Sequence, residues 1–189
     1  MITAEQFGPL AHLVGTWEGN RGHDDSYSHD KSSANQNSYF ERMTLSPFGP
    51  VDNGAQSLFG LDYRIAAWKD GEDDPFHTEA GYWLWDASRS EVMRCCVVPR
   101  GVAINAIGSA DSGSVTYRMT ATRGSNTDGI LSNAYLEQAA RSTTYRIDID
   151  LSVDGVLARA VLCRSRARAV SAQRLHRCAV PPWHVGSRR

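Results

Sequence analysis

The chain has 189 residues, 41% hydrophobic and 22% charged, a balance that suits one soluble globular domain and excludes disordered, collagen-like and coiled-coil architectures. No stretch reaches the about 20 apolar residues of a membrane helix, and Met1-Ile2-Thr3-Ala4-Glu5-Gln6 lacks the basic-then-apolar order of a secretory leader, so a cytoplasmic location is expected. The net charge of −1 hides an asymmetry: residues 1–154 carry all 21 acids against 12 bases, whereas residues 155–189 carry eight arginines and no acid. An acidic body disfavours nucleic acid and excludes an anionic membrane as partners.

Thr3 and Gln6 have the spacing of a capping box, and Pro9 suits the first turn of a short helix through Leu13. Beyond Gly15 the chain is a succession of short strand-like runs. They lie near 14–22, 37–46, 55–68, 77–86, 90–98, 101–108 and 130–138. The clearest run is Tyr145-Arg146-Ile147-Asp148-Ile149-Asp150-Leu151-Ser152-Val153, where every second residue is apolar; Val115, Tyr117, Met119 and Ala121 alternate likewise. Pro47-Phe48-Gly49-Pro50, Asp70-Gly71, Asp73-Asp74-Pro75 and Asp111-Ser112-Gly113 punctuate them as turns. Residues 20–38 are polar and read as a long loop over one end, a common place for an entrance. Many short strands with almost no helix predict an all-β fold, an antiparallel up-and-down β-barrel of about ten strands with a short N-terminal helix. A barrel of that size can enclose one small ligand.

The domain is expected over residues 1–162. From 163 to 189 the alternation fades into an Arg- and Ala-rich tail, which reads either as a disordered basic extension or as residues translated in a shifted frame. Cys95, Cys96, Cys163 and Cys178 lack metal-site or redox spacing and read as reduced, small hydrophobes. No phosphate loop, nucleophile elbow or dinucleotide fingerprint is present.

What stands out is Gly15-Thr16-Trp17-Glu18-Gly19, then His77-Thr78-Glu79-Ala80-Gly81-Tyr82-Trp83-Leu84-Trp85-Asp86, then Pro99-Arg100-Gly101-Val102. In order and spacing these resemble the nitrobindin-like haem-binding β-barrel family, whose barrel is FABP-like and lipocalin-like, over roughly residues 8–154. The Gly-Tyr-Trp-Leu-Trp-Asp piece resembles a bacterial branch of it. The resemblance implies a cavity for ferric haem b held by a histidine on the last strand. It also implies reactivity toward nitric oxide and peroxynitrite, and hence a peroxynitrite isomerase. The family's Tyr-Pro-Thr run after the first strand has no counterpart in Asp24-Asp25-Ser26-Tyr27-Ser28-His29, a departure that bears on the peroxynitrite chemistry.

An exposed ferric porphyrin needs a neutral imidazole, an apolar slot and cationic or hydroxyl groups near its propionates. His77 matches the family's cavity-facing histidine, with Glu79, Gly81 and Trp83 on the same side of a strand; the other reading is a structural histidine. His176, in Leu175-His176, matches the family's Leu-His pair and is the expected iron ligand. Trp17 and Trp83 are expected to line the cavity or fill the core, and Arg100 to meet a propionate or remain a solvated turn residue. His12 reads as structural, and His23, His29 and His184 as surface. A small-molecule ligand and a homodimer are the expected partners. The competing functions are a carrier of a fatty acid or other apolar molecule, and a barrel whose cavity holds nothing.

Overall fold

The computed structural model describes residues 3–28, 33–151, 155–164 and 168–178. A 3-10 helix, Ala4–Leu13, opens the chain; the Thr3 amide donates to Gln6 Oε1 at 2.8 Å, the interaction that the capping-box spacing predicts. Eleven strands follow: β1 Gly15–Ser28, β2 Ser33–Asn53, β3 Gln56–Lys69, β4 His77–Asp86, β5 Glu91–Val98, β6 Val102–Ser109, β7 Thr116–Thr122, β8 Ile130–Ser132, β9 Thr144–Leu151, β10 Val156–Arg164 and β11 Arg168–Arg177. A single helix, α1 Ala134–Ala139, sits between β8 and β9.

Every pairing is antiparallel, in the order β5-β4-β3-β2-β1-β11-β10-β9-β7-β6, and β5 also pairs with β6. The sheet therefore closes on itself as a ten-stranded barrel, with β8 a short addition to β6. Closure leaves no exposed ladder to seed edge-to-edge association. Inward positions recur with period two: β7 is buried at Tyr117, Met119 and Ala121, and β9 at Tyr145, Ile147, Ile149 and Leu151.

Three segments depart from the sequence reading. The polar stretch 20–38 is not a long loop: β1 and β2 stay paired out to Ser28 and Ser33, because ladder hydrogen bonds ask nothing apolar of a hairpin that rises past the core. The strand expected over 130–138 stops at Ser132. There Asn133 accepts from the Leu136 amide at 2.9 Å and caps α1, whose Ala, Leu, Glu and Gln are good helix formers. Within the expected tail, residues 168–177 form β11, paired with both β10 and β1. Its Gln173 and Leu175 are buried while Ala172, Arg174 and His176 are exposed, so the two-residue period continues under a composition rich in Arg and Ala. Residues 179–189 lie outside the described set.

The N-terminal helix plugs one end of the barrel. Phe7, Leu10 and Leu13 are fully buried, each contributing about 1.5–3 kcal/mol. Phe7 meets Phe59 edge-on with ring centroids 5.4 Å apart. Asp70-Gly71, Pro99-Arg100-Gly101 and the 123–129 turn gather at the opposite end, where β3, β5 and β7 finish. Gly101, at φ +76, takes the left-handed conformation of that rim turn. Since β11 supplies the partner of both β1 and β10, a chain ending at Arg164 is expected to leave two open edges. Circular-dichroism melts and gel filtration should then show a lost or strongly lowered transition and association; an unchanged melting temperature would refute the closing role of β11.

Candidate functional site

The strands that end at the open rim carry an unusual set of inward side chains. On β2 the buried phase runs Tyr39, Glu41, Met43, Leu45; on β5 it runs Val92, Arg94, Cys96; on β10 Leu157 and Arg159 are buried. Three charged residues thus occupy positions that alternation assigns to the interior. On β4, His77 and Glu79 share a face with buried Trp83 and Trp85. Gly81, between them, has no side chain because a Cβ there would lie 2.0 Å from the Cys95 carbonyl oxygen. That close approach of β5 to β4 accounts for the glycine of the His-x-Glu-x-Gly-Tyr-Trp motif.

The charges pair. Arg94 forms an ion pair with Glu79 and hydrogen-bonds Tyr145, and Arg159 pairs with Glu41. Arg94 is fully buried and stacks at 5.1, 5.7 and 5.6 Å from the ring centres of Tyr63, Trp83 and Tyr145. Glu79 Oε2 also accepts from the Tyr63 hydroxyl at 3.3 Å, and Glu79 Oε1 lies 3.0 Å from His77 Nε2. Burial opposes the charge of Glu79, but Arg94 and the His77 hydrogen bond outweigh it and hold the carboxyl well below the usual carboxylate range. Glu41 goes the other way: burial raises it, with Arg159 opposing. Burial and neighbouring Glu79 likewise push the hydroxyls of Tyr63 and Tyr145 up, against the pull of Arg94.

His77 stands at the rim, its side chain 32% exposed, and Phe76 beside it touches Tyr39 edge-on at 5.8 Å. The Tyr39 hydroxyl and Ser171 Oγ are 2.6 Å apart, and Lys69 lies 5.6 Å from the Phe76 ring centre. The rim therefore offers one imidazole, the partly exposed Phe76 ring and a cation, above the buried Tyr39 and its hydroxyl contact.

The other sequence candidates fall elsewhere. Trp17 is at the plugged end, fully buried, its Nε1 donating to the Leu13 carbonyl at 2.7 Å with Arg177 over its ring. Trp83 is buried beneath the ion pairs, edge-on to Tyr63. Both pack the core away from the rim. His176 is exposed, opposite Glu18 in the β1–β11 register, with inward Leu175 beside it. A two-residue period that turns Leu175 inward turns His176 outward, so an iron on it would sit on the outer wall. Arg100 is exposed in the β5–β6 turn at the rim, its carbonyl accepting from Asn133 Nδ2 at 2.6 Å. His12 is exposed; His23 points outward toward Asp25, 3.5 Å away. His29 and His184 lie outside the described residues.

The enclosed ligand cavity expected of a barrel of this size is not found among the described residues. From the plug upward the barrel is filled by Trp17, Trp85, Leu61, Met43, Trp83, Met119 and Ile147, then by the two ion pairs. A groove of about 700 Å³ is lined chiefly by residues of β3, β4 and β5, and another of about 790 Å³ runs from these strands onto β6, β8 and the 124–129 turn. Among the described residues no cluster of three or more His, Cys, Asp or Glu side chains is placed to hold a metal ion.

Residues 6–176 match the model of the THAP4-like, heme-binding beta-barrel domain. The chain belongs to that family. Among solved structures, the crystal structure of Rv2717c from M. tuberculosis superposes with a TM-score of 0.69 at 19% identity, covering 95% of this chain and 99% of that one, a likeness of fold. A search of curated proteins finds no match. Membership confirms the nitrobindin-like haem-binding barrel expected from the motifs and makes this a ligand-binding barrel of a haem-binding family.

The residues at the rim fit that group. A histidine that binds a metal through one ring nitrogen almost always gives its other N–H to a carboxylate, carbonyl or water, and His77 is held in that manner by Glu79. The sequence reading missed Glu41, Arg94, Arg159, Tyr63 and Tyr145; the available signal was a charge in the buried phase of each of three alternating strands.

Removing one member of the inner pair leaves the other charged and alone. Arg94→Met is expected to cost about 3–5 kcal/mol in urea unfolding, and Glu79→Gln/Arg94→Met far less. The lowered Glu79 carboxyl contributes stability that is fully present above its unfolded value of about 4.3 and lost as pH falls below it. The wild-type melting temperature should drop between pH 5 and 3 more steeply than that of the double variant; equal slopes would refute the assignment.

Proposed function

We propose that the protein binds ferric haem b at the open rim of the barrel, with His77 as the iron-facing imidazole. The hydrogen bond between His77 and the buried, ionised Glu79 carries this reading, in a chain that belongs to a haem-binding family. When bound, the group supplies an iron centre able to take nitric oxide or peroxynitrite. The protein's part is to orient one imidazole, to offer the ring of Phe76 to an apolar plane, and to place Lys69 and Arg100 where carboxylates reach the rim. Trp17, Trp83 and His176 have no part in this contact set. The filled interior supports a site at the rim rather than a deep pocket.

A fatty-acid carrier is less well supported. Both inner guanidiniums already face carboxylates, so a fatty-acid headgroup would have to stay at the rim, and the filled interior leaves no room for its chain.

Purified protein titrated with hemin is expected to develop a strong, shifted Soret band. His77→Ala should weaken hemin binding at least about tenfold, while His176→Ala leaves it unchanged. Nitric oxide should move the band further, and peroxynitrite decay should quicken only with hemin loaded. A band indifferent to His77→Ala overturns the site. Displacement of an environment-sensitive fatty-acid probe with no Soret shift overturns the haem reading in favour of an apolar carrier.

A further inference from the structure

Beneath His77 runs a chain of contacts whose geometry assigns one more role: we infer that Glu79 is a positioning residue that fixes the tautomer and direction of His77, so that Nδ1 is the atom presented to a ligand at the rim. That this ligand is haem iron rests on the reading above; the tautomer does not.

Glu79 Oε1 faces His77 Nε2 at 3.0 Å. A carboxylate only accepts, so in the neutral imidazole the proton sits on Nε2 and the lone pair on Nδ1. Nδ1 has no hydrogen-bond partner among the described residues. The carboxylate itself is held. Its second oxygen takes the Arg94 guanidinium and the Tyr63 hydroxyl. Arg94 in turn is locked among three aromatic rings and bonded to Tyr145. Arg159, the other inner cation, is bonded to Glu41 and acts on Glu79 only through a weaker, longer-range attraction. From Arg94 on β5 through Glu79 to His77 on β4, each member toward the rim is fixed by a more buried one. A core histidine merely satisfied by hydrogen bonding would have no need of so rigid a support. An anionic partner on Nε2 also makes Nδ1 the better electron donor.

Nitrogen-resolved NMR of the labelled, haem-free full chain should show His77 protonated on Nε2 and bare on Nδ1. In Glu79→Gln/Arg94→Met, which removes both charges and is expected to fold, the preference should be lost and hemin affinity should fall about 10–100-fold. Glu79→Asp should fall between the two. A wild-type His77 protonated on Nδ1, or a double variant with unchanged tautomer and unchanged hemin affinity, overturns the inference even where wild type binds hemin normally. If wild type takes up no hemin, the haem reading fails, and the NMR result alone decides the role of Glu79.

Discussion

A charge carried into the interior of a small barrel loses its water and must find its counter-charge within reach, or the fold loses several kcal/mol. Here four such residues, Glu41, Glu79, Arg94 and Arg159, are buried as two ion pairs. Each pair spans two strands, so the pairs constrain how the sheet closes as well as what fills it. Glu79 and Arg94 tie β4 to β5, and Glu41 and Arg159 tie β2 to β10 across the barrel. Hydrophobic residues of similar volume would fill the same space at comparable stability. What they would not supply is a fixed anion under His77.

The barrel is consequently two objects stacked end to end. Around the N-terminal helix it is an aromatic and aliphatic core, dense and dry, in which Trp17 is as much a structural post as a tryptophan can be: buried ring, bonded Nε1, a cation on its face. Toward the rim the apolar filling gives way to ions, tyrosines and one half-exposed imidazole. The site we propose accordingly lies at the lip, where a planar group with an apolar face, a metal centre and acidic edges would meet the imidazole and the rim cations.

Much of the fold was legible in the chain. The two-residue period of residues 145–151 and 115–121, the turn residues and the scarcity of helix led to the closed antiparallel barrel, because alternation is a local property that a strand writes into its own sequence. The motif residues led to the family in the same manner. Segments whose shape follows from pairing rather than polarity were less legible: the long polar hairpin of β1 and β2, and the Arg- and Ala-rich β11, whose inward residues are correct while its composition looks like a tail.

The candidate site divides along the same line. That His77, Glu79, Gly81 and Trp83 share a face could be read directly, as could the six histidines on offer. Which histidine serves the interior could not: His77 and His176 differ only in the phase of their strands, and that phase becomes visible once the neighbours are known to be buried. Nor could the partners of the buried charges be read, since Glu41 and Arg159 are 118 residues apart and meet only when β11 closes the ring. Alternation tells each strand which side is inside; barrel closure alone decides which inward-facing residues come face to face.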